Sequence, residues 1–524
     1  MEMDCEVKLE IKKDKIQHKN QKIKNFDNLI VELSRQKSLG KKIIHVHGVF
    51  DLLHIGHIRH FDQAKQKGDI LVVSITKDKY VNKGPHRPCF NEQLRAEAIA
   101  ALHCTDYVVI NRWPTAVETI KLIKPHLYVK GDEYQDPKND LTAKILDEIE
   151  AVRSVGGDID FTNDITFSSS ALLNQFFSPF SDEVITYLNK LKKQYSSNKI
   201  LGYLENAKEM EVLVIGEAII DIYHFSDVIG KSGKEPILVT KHKYVEHYLG
   251  GALAVANHLA DFCKHVTCLT YLGEKKEYEE FIRQDLKKNV ELIPVYKKDS
   301  PTIVKRRYMD EYLKQKLFEV YEINDDFLDA IQTQELVSKL DVLLKENDLV
   351  IAADYGHGLL DTHTIQKLCD ESKFLSVNTQ SNAGNYGFNC ISKYPKANYV
   401  CIANRELQLT YHQRHFSVFE QLTNFSKDFN YDCITITSGK KGLYVYKQER
   451  RIHEAPAFNF NVVDRVGSGD AVLAITSLCA AQDAPSEIIG FIGNVVGAEA
   501  VGIMGNKNFM GKIALMKHID HLLK

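Results

Sequence analysis

The feature that most constrains the fold is the segment 43–57, where a short strand pattern passes through a glycine-containing loop into a helical pattern. Residues 43–46 have the character of a buried strand, and the polar residues after Gly48 begin a helical period. His54 and His57 therefore fall on one face of the first helical turn. A buried strand that leads into a helix is the repeating unit of a parallel α/β sheet.

The same segment has the features of a phosphate-binding site. Free N–H groups at a helix start attract anions, and imidazoles beside them can hydrogen-bond oxygens that gain charge in an in-line displacement. Gly48 lets the backbone approach a ligand, and Gly56 leaves out a side chain that would block a base or a ribose. The segment therefore predicts binding of a nucleoside triphosphate.

With Phe50 and Asp51, this run resembles the HxGH nucleotidylyltransferases, in particular their cytidylyltransferase-like branch. Further blocks typical of that family follow in order at 83–88, 95, 106–109, 129–134 and 166–170. The resemblance implies that His54 and His57 stabilise the transition state. It also implies phosphate neutralisation by Lys83, Arg87 and Lys130, and nucleotide binding by Gly48, Phe50, Asp51, Gly56, Asp132, Ser168, Ser169 and Ser170.

A chain of 524 residues with 44% hydrophobic content exceeds one cored domain, since single cores stop growing beyond roughly 250–300 residues. Strands are predicted at 43–46, 70–75, 107–110, 127–129 and 158–161, with helices between them and a helix at 26–39. This alternation predicts a parallel doubly wound sheet. We divide the chain into a polar tail and helix (1–40), a first α/β domain (41–178), a helical linker (179–210) and a second α/β domain (211–524).

Composition argues against several classes of function. A net charge of −3 gives no overall basic field, so nucleic-acid binding is not expected. The 10 cysteines form no CxxC pair, so neither a disulfide scaffold nor a zinc site is predicted, and no residue is assigned to a resident metal. No stretch reaches the roughly 18 apolar residues of a membrane span, and residues 1–24 lack an apolar signal core. The sequence predicts a cytoplasmic protein without membrane contact.

The strongest signal in the second half is the run 464–471, which is followed by an apolar helical pattern at 472–480. Gly467, Ser468 and Gly469 predict a tight turn whose N–H groups, with the helix start, form an anion hole for a phosphoryl group. Asp470 lies beside that hole, where a carboxylate can accept the proton of an attacking hydroxyl.

Together with blocks at 216–221, 250–252, 353–358 and 437–442, this run resembles the PfkB-type, ribokinase-like sugar kinases. The resemblance implies that Asp470 is the general base and that Gly467, Ser468 and Gly469 form the anion hole. It implies that Thr437, Gly439 and Gly442 flank the ATP, and that the sugar substrate is bound by Asp221, Gly250, Gly251, Arg307 and Asp354.

Three positions depart from the kinase pattern. Ala254 replaces an Asn that follows the glycine pair, Glu406 is displaced by one place from the Asn-x-x-Glu pattern associated with magnesium, and 378–380 differs from the heptose branch. These departures indicate an altered acceptor.

Both halves together resemble the bacterial heptose-phosphate kinase/adenylyltransferase, with the order of the halves reversed. This implies an α/β chain with a Rossmann-like parallel-sheet nucleotidylyltransferase domain, followed by a ribokinase-like domain with a small β lid. It implies phosphorylation of a sugar or sugar phosphate from ATP, and transfer of CMP or AMP to a sugar or polyol phosphate with release of pyrophosphate. Mg²⁺ would accompany ATP in the first reaction and CTP or ATP in the second, and the chain would form a homodimer.

Two alternatives stay open at this point. In the first, only the transferase half is an enzyme and the kinase-like half senses a ligand or dimerises; Ala254 and Glu406 favour this, whereas the intact Asp470 motif argues against it. In the second, the transferase acts on a polyol phosphate such as glycerol phosphate, because residues 51–59 are as similar to that branch as to the heptose branch.

Overall fold

The computed structural model describes residues 21–81, 87–135, 144–162, 180–413, 415, 417–447, 452–458 and 462–524. These divide into two compact units. Unit 1 takes the described residues up to 179 together with 516–524, and unit 2 takes those from 180 to 515.

Unit 1 is built on a five-stranded parallel sheet. In spatial order its strands are β3 (Tyr107–Ile110), β2 (Ile70–Ile75), β1 (Ile43–Gly48), β4 (Leu127–Gly131) and β5 (Asp158–Thr162). The five predicted strands and the parallel arrangement are confirmed. The prediction succeeded because strands buried on both faces are nearly continuous apolar runs.

Helices cover both faces of this sheet. They are α1 (Phe26–Ser38), α2 (Ile55–Gln66), α3 (Glu92–Ala100), α4 (Val117–Ile123) and α5 (Lys144–Ser154). Phe26 and Leu29 of α1 pack in one cluster with Ile43, whereas Phe61 of α2 packs in another with Ile44. Alternate residues of β1 thus face opposite layers, which explains the burial of the whole strand.

The strand order of unit 1 places its candidate site. β2 and β3 lie on one side of β1, whereas β4 and β5 lie on the other. Ligands of open parallel sheets bind in the crevice at the carboxyl ends of strands where the order reverses in this way. Since β1 ends at Gly48 and β4 ends at Gly131, the segments that carry His54 and Lys130 both emerge at this crevice.

Unit 2 contains a nine-stranded sheet and a four-stranded sheet. In spatial order the larger sheet has β10 (Val290–Lys297), β9 (His265–Gly273), β6 (Glu211–Gly216), β13 (Leu349–Asp354), β14 (Leu375–Thr379), β15 (Lys396–Ala403), β16 (Asn430–Thr437), β17 (Leu443–Lys447) and β18 (Ile452–Ala455). All neighbours from β10 to β16 are parallel, and the last two pairings are antiparallel. The order reverses between β6 and β13, so the residues that follow Gly216 and Asp354 meet at the crevice.

The smaller sheet agrees with the predicted β lid. Its strands, in spatial order, are β12 (Gln315–Glu322), β11 (Ile303–Asp310), β7 (Ala218–Lys231) and β8 (Leu238–Gly251). β7 and β8 form an antiparallel hairpin, and β11 runs parallel to β7 with Lys305 beside Asp221. This register brings two basic residues of β11 next to an acidic residue of β7.

The remaining helices lie in unit 2, except that the last of them ends in the 516–524 segment of unit 1. They are α6 (Asp182–Gln194), α7 (Ser197–Asn206), α8 (Ala252–Ala260), α9 (Glu279–Asp285), α10 (Ala330–Glu346), α11 (Thr362–Glu371), α12 (Asn404–Thr410), α13 (Val418–Asp428), α14 (Ser468–Ala481), α15 (Ser486–Ala500) and α16 (Lys512–Leu523). Among the described residues, no helix combines the length and apolar character needed to cross a membrane.

Candidate active sites

His54 and His57 lie together at the start of α2. His54 is the N-cap, and its Nδ1 accepts a hydrogen bond of 3.1 Å from the N–H of Gly56. The two imidazoles are stacked, with their ring centroids 3.9 Å apart. The prediction that they share one face of the first turn is confirmed, since an N-cap and its third following residue adjoin the same helix end.

The side chain of Phe50 packs directly on the backbone of Gly48. The ring of Phe50 covers Gly48 so closely that a Cβ there would lie 2.7 Å from Phe50 Cζ. Phe50 itself has a φ of 48°, a left-handed conformation that is uncommon for a bulky residue and typical of functional sites. The space that glycine leaves at position 48 is thus taken by Phe50, whose ring also contacts His57 edge-on at 5.3 Å.

Lys130 is a charged residue of this crevice. Its Nζ lies 2.9 Å from the Glu148 carboxylate. Burial disfavours the charge, but Tyr128 and Glu148 outweigh burial and raise the pKa of Lys130 well above its ordinary value. Burial and the Lys130 charge lower the pKa of His47 to about 3 and that of His60 to about 4. The neutral imidazoles of His47 and His60 therefore surround a lysine that stays charged, which suits a site that binds phosphate at neutral pH.

Arg87 lies at the same site, held by two partners. Its Nη1 donates to Asp51 Oδ2 at 2.6 Å, and its Nη2 lies 2.7 Å from Nε2 of His521, in the 516–524 segment that belongs to unit 1. The other oxygen of Asp51 accepts the N–H of Cys89 at 2.5 Å. Asp51, which is buried, therefore orients Arg87, and no pattern in the sequence indicated that His521 would join them.

Arg95 fixes the loop that leads to the histidines. It is 2% exposed and donates to the carbonyls of Val49, Thr76 and Phe90 and to the carboxylate of Asp78. A guanidinium offers five donors in a rigid plane, which allows one side chain to connect several chain segments. Arg95 is thus a structural anchor behind the site.

Replacing Arg95 by methionine is expected to lower the free energy of unfolding of unit 1 by about 2–4 kcal/mol, because buried acceptors lose their donor. Urea unfolding followed by circular dichroism measures this. The matched control is Arg153→Met, since Arg153 is 66% exposed and its carboxylate partner is 3.8 Å away. Equal stability of both variants would contradict the anchoring role.

Four predicted residues of this half, Lys83, Ser168, Ser169 and Ser170, lie outside the described residues. Asp132 begins a short 3₁₀ turn directly after β4, on the same edge of the sheet as the histidines. The described part of the predicted set, from Gly48 to Asp132, thus comes from the carboxyl ends of β1 and β4, the segments after them, and the segment between β2 and β3 that carries Arg87.

The second candidate site lies at the start of α14. Gly467 is its N-cap with a φ of 80°, and a Cβ there would collide with the Asn506 side chain, so only glycine fits. Ser468 turns its hydroxyl back to the carbonyl of Arg465, at 2.9 Å. A Cβ at Gly469 would meet no heavy atom within 4 Å, so the helix start has open space above it. First-turn N–H groups lack partners inside the helix, which makes this end a site for an anion.

Asp470 follows in the same turn, close to a tyrosine from another loop. Tyr355 donates its phenol hydrogen to Asp470 Oδ1 at 2.7 Å. Burial raises the pKa of Asp470 to about 7, and Asp221 adds to the rise, whereas the bond from Tyr355 and the charge of Lys305 oppose it. A carboxylate with a pKa near neutrality is suited to accept a proton.

Asp221, Arg307 and Gly250 form a group on the small sheet. Arg307 donates to Asp221 through Nη1 and to Glu319 through Nε at 3.2 Å. A Cβ at Gly250 would lie 2.6 Å from Asp221 Oδ2, so the glycine makes room for this carboxylate. The neighbouring Gly251 is the N-cap of α8. Three of the predicted sugar-binding residues are thus brought together.

The Asp354 carboxylate is bonded to residues outside the small sheet. It is 1% exposed, and its oxygens are bonded to the N–H of Gly356, to the hydroxyl of Tyr394 at 2.7 Å and to Nζ of Lys393 at 2.6 Å. Its contacts thus stabilise the loop after β13. A contact with sugar stays a prediction.

Thr437, Gly439 and Gly442 surround the turn between β16 and β17. Thr437 ends β16, Gly439 begins a short 3₁₀ turn and Gly442 closes it. This turn follows the carboxyl end of β16, the edge of the sheet at which ligands of parallel sheets bind, so its position is compatible with the predicted ATP contact.

The residues that depart from the kinase pattern have structural partners. Ala254 is fully buried in the first turn of α8. Glu406 accepts the N–H groups of Ala403 at 2.5 Å and Ser381 at 3.3 Å, and burial raises its pKa to about 7. Asn378 donates to the carbonyl of Cys401. Glu406 thus serves as a cap of α12.

Glu217 was missed by the sequence analysis as a residue of the site. It is fully buried and accepts the N–H groups of Tyr355 and His357, both at 2.9 Å. It follows β6, whereas its partners follow β13, so only the neighbourhood of these strands in the sheet reveals the contact. The available signal was an acidic residue directly after a buried strand.

Residues 210–510, more than half of the chain, match the family described as pfkB family carbohydrate kinase. The chain belongs to this family. Residues 45–202 match a second family, described as cytidylyltransferase-like. The resemblances stated from the motifs are therefore confirmed, including the order of the two halves.

Curated relatives agree with this family assignment. The chain is 40% identical over 140 residues to the protein named bifunctional protein HldE of Aliarcobacter butzleri, which is 26% of this chain and 29% of that protein. It is 36% identical over 168 residues to the HldE of Geobacter metallireducens, covering 31% of this chain and 32% of that protein. The chain thus matches about a third of the length of these relatives.

Comparison with solved structures gives partial likenesses to this chain. Phosphofructokinase-2 of Escherichia coli is 14% identical with a TM-score of 0.49, covering 60% of this chain and 100% of that chain. A ribokinase of Arabidopsis thaliana is 13% identical with a TM-score of 0.45, covering 60% of this chain and 99% of that chain. Likenesses at this level say nothing about substrate.

Proposed function

We propose that this chain catalyses two reactions of nucleotide-activated sugar biosynthesis. Unit 2 would phosphorylate a sugar or sugar phosphate from ATP, and unit 1 would transfer CMP or AMP from CTP or ATP to a sugar or polyol phosphate. The observation that carries the proposal is that each unit has a phosphate-attracting helix start beside reactive side chains, at the reversal point of its parallel sheet.

In the kinase step, the acceptor oxygen would attack the γ-phosphorus of ATP while its proton passes to Asp470. The bond from that phosphorus to the bridging oxygen breaks, and ADP leaves. The N–H groups at the start of α14, which include those of Gly469 and Asp470, would hydrogen-bond the transferring group. Asp221 and Arg307 would bind the acceptor.

In the transferase step, an oxygen of the acceptor phosphate would attack the α-phosphorus of the nucleotide in line. The bond to the bridging oxygen of the β-phosphate breaks, and pyrophosphate leaves. His54 and His57 would donate hydrogen bonds to the reacting phosphate, and Lys130 and Arg87 would neutralise phosphate charge. Lys83 is proposed to neutralise phosphate charge as well, and Ser168, Ser169 and Ser170 are proposed to hold the distal phosphates.

Mg²⁺ fits this scheme as an ion that arrives with the nucleotide. Within the described ranges, no cluster of three or more His, Cys, Asp or Glu residues fits a metal ion, and Mg²⁺ is commonly held by substrate phosphates with few protein ligands. Asn404 Oδ1 is buried and has no hydrogen-bond partner in the described part of the chain, so it could contact the water shell of such an ion. The ion would neutralise phosphate charge.

The alternative of an inactive kinase-like half is not favoured, since relatives that match the chain are named bifunctional proteins and Asp470 lies in the first turn of α14, as the proposed base requires. The domain boundaries at 41–178, 179–210 and 211–524, a homodimer and a cytoplasmic location stay predictions. The choice between CTP and ATP, and between sugar and polyol, is likewise proposed only as a class.

We expect pyrophosphate release when the full chain is incubated with CTP or ATP and a sugar or polyol phosphate. The measurement compares all four nucleoside triphosphates against a panel of such phosphates, with ADP formation from free sugars and sugar phosphates recorded in parallel. Release with GTP or UTP alone would contradict the proposed nucleotide. Absence of release with every pair would remove the transferase assignment, whereas absence of ADP would remove the kinase assignment.

A further inference from the structure

The loop 354–359 of unit 2 is held through both its N–H groups and its carbonyl groups, although none of its residues has a proposed catalytic role. The Glu217 carboxylate accepts hydrogen bonds from the N–H groups of Tyr355 and His357. Three asparagine side chains donate to carbonyl groups of the loop. Asn385 and Asn382 donate to the Tyr355 carbonyl at 2.7 and 3.0 Å, and Asn389 donates to the Asp354 carbonyl at 2.9 Å. Both backbone polar groups of Tyr355 are therefore bonded to buried or half-buried side chains.

This anchoring leaves the phenol as the part of Tyr355 that reaches the site. Tyr355 is 2% exposed, so its ring cannot turn into solvent. Its hydroxyl donates to Asp470 Oδ1 at 2.7 Å, between an element that follows β13 and the first turn of α14. A hydrogen bond to a carboxylate of this length is of the strong, charge-assisted kind.

We propose that Tyr355 is a positioning residue of the kinase site: its phenol holds one carboxylate oxygen of Asp470 and leaves the other for the acceptor hydroxyl. The proposal rests on the assignment of Asp470 as the general base. A carboxylate on a short side chain can rotate, and a donor fixed to one oxygen restricts that rotation. The bond also favours the ionised form, which is the form able to accept a proton.

The surrounding charges support this role. Asp221 raises the pKa of Asp470, and Glu406 and Asp470 disfavour each other's charge. The positive charge of Lys305, a buried residue of β11, lowers the pKa of Asp470, and Arg307 is paired with Asp221. With the pKa of Asp470 raised to about 7, a donor such as Tyr355 determines how much of the base is ionised at neutral pH.

The test is the pH profile of kcat/KM for the kinase reaction of the full chain and its Tyr355→Phe variant. Because the acid limb reports the base of the free enzyme, its midpoint in the wild type is expected near 7. The loss of the phenol should raise that midpoint by about one pH unit, so that activity at pH 6 falls roughly tenfold and activity at pH 9 falls little.

The matched control is Tyr399→Phe, which removes another buried hydroxyl in unit 2. The Tyr399 hydroxyl is hydrogen-bonded to the hydroxyls of Thr435 and Thr476, both at 2.8 Å, rather than to Asp470. This variant should lose stability without any shift of the acid limb. Thermal unfolding of both variants separates a loss of fold from a change of the profile.

A second variant, Asn385→Ala, keeps the phenol of Tyr355 but removes the shorter of the two hydrogen bonds that asparagines donate to the Tyr355 carbonyl. It should shift the acid limb in the same direction by a smaller amount. If the wild type is active and Tyr355→Phe leaves the midpoint unchanged, the positioning role is wrong while the kinase function stands. If Asp470→Asn keeps full kinase activity, the assignment of the base fails, and this inference fails with it.

Discussion

The Asp470→Asn variant is expected to lose kinase activity by a factor of about 10²–10⁴ in kcat, because the amide cannot take up the proton of the acceptor hydroxyl. The substitution is nearly isosteric, and the amide oxygen can still accept the bond from Tyr355. Binding of ATP and of the acceptor should therefore change little. ADP formation at saturating ATP measures the effect.

The transferase activity of the same preparation is the internal control, since Asp470 belongs to unit 2. The matched control variant is Asp483→Asn, which changes an aspartate of unit 2 whose side chain is 92% exposed. Kinase activity retained in full by Asp470→Asn would show that another group takes the proton. A wild-type chain without kinase activity would instead favour the ligand-sensing alternative.

The second large effect is expected at the histidine pair. His57→Asn should reduce pyrophosphate release by a factor of about 10²–10³ in kcat, the range found when one donor to a developing charge is removed. His54→Asn should have a comparable effect. Because asparagine is among the best N-cap residues, this variant should keep α2 intact and separate the capping role from the chemistry.

Pyrophosphate release with the best nucleotide and phosphate acceptor measures both variants, and kinase activity should stay unchanged in each. The control is His103→Asn, an exposed histidine of unit 1. If His54→Asn and His57→Asn both match this control, the stacked pair has no part in the reaction. If only His54→Asn loses activity, the imidazole of His54 alone supplies the essential donor, because asparagine keeps the helix cap.

The sequence predicted unit 1 in most of its detail. Its inner strands β1 and β2 are mostly buried and form apolar runs, and the segment with the two histidines follows β1. The position of His54 at the helix start followed from the switch between strand and helix periods. Local sequence patterns were enough to predict this domain because a parallel sheet repeats a strand followed by a helix along the chain.

Contacts between distant segments could not be predicted in this way. Glu217 and Tyr355 meet only because β6 and β13 are neighbours in the sheet, and His521 reaches Arg87 from the end of the chain. The fold also gave Arg95 and Asp354 roles as anchors of loops. A single sequence contains no signal for such pairs, since spatial neighbourhood is independent of sequence separation.

The sequence by itself determined the two α/β halves, their order and the helix starts at which phosphate binding is proposed, because secondary structure and helix-start chemistry depend on neighbours in the chain. Only the tertiary structure decided which side chains act together. The ionisation of Asp470 and the neutrality of His47 depend on burial and on charges from other strands. Those quantities exist only once the sheets have assembled and water has been excluded.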